Sequence, residues 1–497
     1  MARVAARLST DGERSTHPVD EVLPLPKLAL YGFQHVLAFY AGAVIVPIIV
    51  GGALGLTTEQ LVYLINADLF TCGIASIVQA WGIGRIGARL PLIQGVTFTA
   101  VSPMIAIGLG AGGGTAALLV IYGAVITAGI ATFAFAWLPA KAFRTVMRAF
   151  PPVVTGTVIT VLGIVLIPVG LNDAAGGVGS PDFGDPKHFA YAGGTMLFIL
   201  ILMKLRKPFV SSIAILLGLV GGTAVAFLLG DAAFGDVGKA DWFGVTTPFH
   251  FGVPKFEWFP ILLMIIVMLI TMVETTGDTY AIGDIVGKDV DSETVARALR
   301  ADGAATALGG ALNSFPYVAF AENVGLVRMT KVKSRFVVVA AGVFMIILGL
   351  LPKGAAFVAS VPHGVLGGAA TVMFAMVALA GIQTLAKVDL KEEKNALVVG
   401  VSLAFALLPA TVPVLFKEHM NADLSSLLNS GVTLGATAAI VLNLIFNGLG
   451  KDNAPKGEEP PAVVPARSAE ASEGEVSEDK AAKSGTREGE AAPSPSA

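Results

Sequence analysis

Apolar side chains in this chain come in long blocks rather than in alternation. Residues 193–203, 213–229, 261–273, 336–351, 396–415 and 432–446 are almost continuously apolar. A helix of about 20 such residues crosses the ~30 Å hydrocarbon core of a bilayer. Dividing the chain at its charged and Gly/Pro-rich breaks gives fourteen candidate spans. They are centred near residues 40, 70, 100, 125, 160, 197, 220, 267, 307, 324, 343, 374, 404 and 437. The third, ninth and tenth are weak by hydropathy alone.

The charges support these three. Numbered from a cytoplasmic N-terminus, the inner loops hold Arg85 and Arg89; Lys141, Arg144 and Arg148; Lys204, Arg206 and Lys207. Later inner loops hold Lys288, Arg297 and Arg300; Arg328, Lys331, Lys333 and Arg335; Lys387, Lys391 and Lys394. The outer loops hold only Lys187, Lys239, Lys255, Lys353 and Lys417. This asymmetry follows the positive-inside rule, and removing any one weak span would invert every later loop. Both termini are therefore expected in the cytoplasm.

The longest outer connection, 231–258, divides the spans into two sets of seven. Seven is odd, so the second set enters from the opposite side, which is the condition for an inverted repeat. The expected organisation is an N-terminal tail (1–25), a first repeat (26–230), the external connection (231–258), a second repeat (259–450) and a C-terminal tail (451–497). That tail is rich in Glu, Ala, Pro, Ser and Lys, a composition that reads as disordered. Residues 1–21 lack the apolar stretch of a signal peptide, so the first span is expected to be retained as an anchor.

Composition agrees. The 497 residues are 54% hydrophobic and 14% charged, against about 25% charged in soluble domains, and mean hydropathy is +0.75. The 58 glycines suit close helix approach in lipid. A single cysteine, Cys72, excludes an intrachain disulfide and a Cys-rich metal site. The net charge of −3 says little about partners.

Against this background one carboxylate stands out. Glu322 lies in Asn313-Ser314-Phe315-Pro316-Tyr317-Val318-Ala319-Phe320-Ala321-Glu322-Asn323-Val324-Gly325, within the tenth span. An ionisable group at that depth costs roughly 2.5–3.5 kcal/mol on insertion scales and marks a functional site by default. Irregular backbone there is tolerated only when buried in protein or lining a wet cavity. The third span, at the equivalent position of the first repeat, carries Pro91-Leu92-Ile93-Gln94-Gly95-Val96-Thr97-Phe98-Thr99-Ala100-Val101-Ser102-Pro103. Paired interrupted spans at equivalent positions point to a transporter's binding site; two ordinary kinked helices are the alternative.

Span eight runs into Glu274 and Asp278, four apart on one helical face. They read either as a proton-carrying pair or as solvated groups where the helix leaves the membrane. His35, after Gln34 in span one, either relays a proton or orients a carboxylate, or is a buried packing histidine. Asp302 after Arg300 reads as a site residue or as the N-cap of span nine; Asp68 in span two has no assigned role. A flat neutral molecule with alternating N–H and C=O groups matches carboxylates plus free backbone amides, with Phe98 and Phe320 available to stack on it.

The run Glu322-Asn323-Val324-Gly325-Leu326-Val327-Arg328-Met329-Thr330-Lys331 resembles the signature of the nucleobase–ascorbate transporters, or nucleobase:cation symporters 2. That signature is Gln/Glu/Pro, Asn, any residue, Gly, four variable residues, Thr, then Arg/Lys/Gly, and all five defined positions match. Glu274 with Gly277-Asp278, Gln34-His35, and Phe98 look like the family's motifs in spans eight, one and three. The resemblance covers about residues 25–450. It implies an all-α polytopic fold of fourteen spans in two inverted repeats, with short strands in broken spans three and ten. Spans one to four and eight to eleven would form a core, and five to seven with twelve to fourteen a gate. It also implies that Glu274 and Glu322 bind a base, that Phe98 and Phe320 flank it, and that Ala321 and Asn323 contribute contacts. Asp278, Asp302, His35 and Gln34 would support coupling or geometry.

By the same resemblance the chain is expected to carry a nucleobase by proton or sodium symport in the bacterial cytoplasmic membrane. It would need no cofactor, bind no nucleic acid and form a homodimer through its gates. The stretches Phe150-Pro151-Pro152-Val153-Val154-Thr155-Gly156 and Gly364-Val365-Leu366-Gly367-Gly368-Ala369 look like the xanthine and urate branch. That branch usually has Gln at the first signature position, whereas Glu is typical of uracil carriers; purines are the first reading, uracil the alternative. An anion transporter of the sulfate-permease type would share the architecture but prefer a basic or neutral site where Glu274 and Glu322 stand. An enzyme is disfavoured by the lack of a metal-ligand cluster or nucleophile–base pair.

Overall fold

The computed structural model describes residues 17–138, 150–205, 207–418 and 428–448. Every one of the fourteen apolar blocks contains a helix. Eight described helices are long and apolar enough to cross a membrane. They are spans one (Leu25–Ala53), two (Thr58–Trp81), four (Gly114–Phe135), five (Pro152–Ala174), six (Pro186–Lys204), eight (Trp258–Val286), twelve (His363–Leu385) and thirteen (Glu393–Thr411).

The other spans are shorter, more polar or broken. Span seven is Ala214–Leu228, span nine Ser292–Ala311 and span fourteen Gly431–Asn447. Span eleven, Phe336–Gly349, bends by 81° into Pro352–Ala359, where Pro352 opens the second helix, having no N–H to lose there. Span three is a strand, β1 (Gln94–Val96), then a 3-10 turn (Phe98–Ala100) and the helix Val101–Gly110. Span ten is a strand, β2 (Tyr317–Ala319), then the helix Ala321–Thr330.

Packing between spans follows the repeat. Span two lies along eleven and span nine along four, and these pairs exchange when the two halves are swapped. Both crossings use facing glycines. A Cβ on Gly73 would stand 2.5 Å from the Gly342 carbonyl, and one on Gly303 would stand 2.9 Å from that of Gly129. Only bare backbones approach so closely, as membrane interfaces favour. Span five packs along span twelve, flanked by the pairs six with seven and thirteen with fourteen. The first group belongs to the spans expected to form the core and the second to those expected to form the gate.

Span nine departs from expectation. Asp291 is its N-cap, the carboxylate accepting from the Thr294 amide at 2.8 Å, so the helix starts well before Asp302. Arg297 and Arg300 therefore ride on the helix instead of lying in a loop. Buried Arg300 is tolerated because it is paired: it donates to Glu293 (2.8 Å), Ala136 O (3.1 Å) and Arg85 O (3.1 Å), and lies over Trp137 at 4.1 Å. Arg328 likewise lies on the helix of span ten.

The external connection is fastened to the core. Phe249 N–H donates to Ala311 O, Lys255 N–H donates to Leu119 O, and the Tyr63 hydroxyl accepts from the Thr247 amide at 2.8 Å. The basic residues Lys141, Arg144, Arg148 and Arg206, and the tail expected over 451–497, lie outside the described residues.

Candidate substrate-binding site

The site is built around two strands that apolar membrane segments would not ordinarily form. Extended backbone in mid-bilayer has no water to satisfy it, so β1 and β2 satisfy each other. They pair antiparallel with Gln94 opposite Ala319, Gly95 opposite Val318 and Val96 opposite Tyr317. The ribbon continues at both ends, from Thr97 N–H to Pro316 O (2.9 Å) and from Phe320 N–H to Ile93 O (3.0 Å). Each strand runs straight into a helix. Two helix N-termini, each carrying roughly half a positive charge and unsatisfied N–H groups, therefore converge on the ribbon from opposite sides.

Side chains from four spans fix this ribbon. Asp302, fully buried in mid-helix, accepts from Gln94 Nε2 at 2.7 Å and Thr275 Oγ1 at 2.5 Å. Thr275 Oγ1 in turn accepts the Ala319 amide at 3.1 Å. One carboxylate thus ties spans three, eight, nine and ten together. The N-cap reading of Asp302 is overturned, because Asp291 caps the helix.

Asn323 is also spent on structure. It was expected to touch substrate, but it is buried, its Oδ1 accepting from Ile93 N–H (3.1 Å) and its Nδ2 meeting His35 Nδ1 (2.8 Å). His35 accordingly orients the signature asparagine, not a carboxylate. Gln34, one residue earlier and half-buried, makes no side-chain hydrogen bond among the described residues.

Of the acidic residues, Glu274 lies beside span five. Span eight continues to Val286, so Glu274 and Asp278 lie within the helix and do not emerge at its end. Half-buried Glu274 accepts from Thr99 Oγ1 at 2.9 Å, joining span eight to the turn after β1. It lines a tight crevice of about 10 Å³, room for roughly one water, with Phe150, Thr155, Val158 and Ile159 at the start of span five. Ala321 and Glu322 open the helix after β2 and are exposed.

The aromatic residues are closed on themselves. Phe320 fills a notch floored by two glycines, where a Cβ at Gly95 would lie 2.4 Å from its ring and one at Gly42 2.9 Å. Phe98 touches it with ring centroids 5.7 Å apart and also meets Phe374 of span twelve at 6.0 Å. The two rings contact each other, so a flat ligand enters between them only if they separate. Thr99, Thr275 and Gln94 escaped the sequence reading. Their one signal was position, beside Glu274 or inside a broken span, because neutral polar residues carry no insertion penalty large enough to stand out.

This arrangement of crossed half-helices and inward carboxylates is that of a secondary transporter. A family model described as "Permease family" matches residues 26–415. The chain is 43% identical over 420 residues to the xanthine permease of Bacillus subtilis (strain 168), covering 84% of this chain and 94% of that protein. It is also 43% identical over 442 residues to the uric acid transporter UacT of Escherichia coli (strain K12), covering 88% and 90%. The chain belongs to the nucleobase–ascorbate transporter family, in its bacterial purine-type branch. It is an integral membrane permease, not an enzyme.

Among solved structures it resembles the transmembrane domain of the cyanobacterial bicarbonate transporter BicA. The TM-score is 0.54 at 14% identity, covering 85% of this chain and 98% of that one. Murine Slc26a9, an anion transporter in the inward-facing state, gives 0.54 at 13%, covering 90% and 75%. These likenesses show the fold alone: two inverted seven-span repeats.

Proposed function

We propose that this protein takes up a purine nucleobase, xanthine or urate, by proton symport across the cytoplasmic membrane, with both termini in the cytoplasm. The observation that carries this reading is the 43% identity, over more than four-fifths of the chain, to bacterial carriers named for xanthine and uric acid. The geometry supports it. Glu274 and Glu322 are acceptors for ring N–H groups, the amides at Phe98 and Ala321 are donors for ring carbonyls, and Phe98 and Phe320 flank the ring. Asn323, His35, Gln34 and Asp302 support this set from behind. Glu274 and Asp278, one helical turn apart, carry the coupled proton; a protonated carboxyl also donates to a ring acceptor, linking proton and base in one site. The core moves against the gate, and two copies pair through their gates. Glu322 favours uracil as the second reading, since that residue is the uracil carriers' choice at this position.

Competition by xanthine, urate, hypoxanthine, guanine and uracil in a transporter-deficient cell tests the substrate. A proton ionophore should abolish accumulation; indifference to it would remove proton coupling. Glu274→Gln and Glu322→Ala should lose uptake while still inserting in the membrane, and normal accumulation of every base by Glu274→Gln would overturn the site.

A further inference from the structure

Asp68 is a fully buried carboxylate on span two that the proposed binding set does not use. Its Oδ1 accepts from Ser314 Oγ at 2.7 Å and from the Tyr317 hydroxyl at 3.1 Å, and Cys72 Sγ stands 3.9 Å from Oδ2. The Ser314 and Tyr317 oxygens are themselves 2.8 Å apart, and the Tyr317 hydroxyl also reaches Asp68 O at 3.1 Å. Tyr317 opens β2, and its backbone N–H donates to Thr306 Oγ1 at 3.0 Å.

The inverted repeat gives these contacts a meaning. Spans two and nine are equivalent, and so are β1 and β2. Asp302 on span nine holds Gln94, the first residue of β1; Asp68 on span two holds Tyr317, the first residue of β2. The backbone N–H of each first residue is met by a hydroxyl from the other span of this pair, Ser76 on span two for Gln94 and Thr306 on span nine for Tyr317. The two acids are counterparts. β2 is followed at once by Phe320, Ala321 and Glu322, half of the proposed site.

We propose that Asp68 is a positioning residue for substrate: it fixes the start of β2 and thereby the placement of the Phe320–Glu322 corner, without touching the ligand. This rests on the substrate reading above for its transport consequence, but not for its structural one. A carboxylate suits the task because a single oxygen takes both hydroxyls. Asparagine retains such an oxygen, while alanine removes it.

The test compares Asp68→Ala, Asp68→Asn, Tyr317→Phe and Ser314→Ala, expressed full-length, by two readouts. Hydrogen exchange of the 313–322 backbone in the purified protein needs no substrate; it should speed up about tenfold or more in Asp68→Ala and Tyr317→Phe. Xanthine or urate uptake should show KM raised about tenfold in Asp68→Ala with a smaller change in kcat, since small misplacements at a site have large effects. Asp68→Asn should restore both to within about threefold. Unchanged exchange and KM in Tyr317→Phe and Ser314→Ala overturn the proposal even if Asp68→Ala fails to insert. Loss of proton-driven accumulation by Asp68→Asn with normal KM also overturns it, making Asp68 a proton carrier. Absence of purine uptake by the wild type counts against the proposed function, while exchange still decides the role of Asp68.

Discussion

Thr275→Val isolates the tie that joins span eight to the strand ribbon. Valine keeps the β-branched shape and its helical rotamer, so packing is preserved and only the hydroxyl is lost. That hydroxyl donates to Asp302 Oδ2 and accepts the Ala319 amide, both fully inside the protein. Removing it orphans a buried carboxylate oxygen and a buried strand N–H, each worth about 1–3 kcal/mol, with the charged acceptor at the upper end. The expected loss is about 3–5 kcal/mol, since Asp302 keeps Gln94 as its second donor. Thr276→Val is the control. Its hydroxyl bonds only the Met272 carbonyl of its own helix, so its loss should stay below about 1 kcal/mol. Thermal unfolding of detergent-purified protein should separate the two by several degrees, at roughly 2–4 °C per kcal/mol for mid-sized domains. Because the strand also places Phe320, uptake KM should rise with the fall in Tm. Equal Tm and equal KM for the two variants would refute the view that this hydrogen-bond chain holds the ribbon.

Gly95→Ala places a Cβ where the Phe320 ring already lies, and Phe39 and Gly42 close the ring's other exits. It should cost about 1–3 kcal/mol by overpacking and weaken base binding more than it lowers Tm, read by uptake KM against thermal unfolding. Asp291→Ala removes the N-cap of span nine and should cost about 1 kcal/mol. The Thr294 side chain and amide hold the Asp291 carboxyl below the usual carboxylate range. Its contribution is thus present above the unfolded value of about 3.9 and is lost as pH falls through the folded value. The Tm gap between wild type and Asp291→Ala should be full at pH 6 and shrink below pH 4; a gap constant to pH 3 would exclude the cap.

Much of the fold was legible because lipid is a severe solvent. Apolar blocks, loop charges and the odd number of spans per half follow from the energetics of inserting side chains one at a time, and a linear sequence records that property directly. Glu274, Glu322 and Asp302 stood out for the same reason, being expensive where they sit. Contacts are another matter. Span nine was misjudged at its polar start because Arg300 is made tolerable by Glu293, Trp137 and two carbonyls from other segments. Asn323, read as a ligand contact, is engaged by His35 and Ile93 from elsewhere in the chain. The roles of Thr275, Thr99 and Asp68 emerged only when spans far apart in sequence were brought within hydrogen-bond range. The sequence by itself determined which segments enter the membrane, in which order, and which charges they carry there. Which of those charges face the crevice, and which are held by neighbours as braces, was decided by tertiary structure. A buried polar group's partner is set by three-dimensional proximity, and nothing in its own residue type records it.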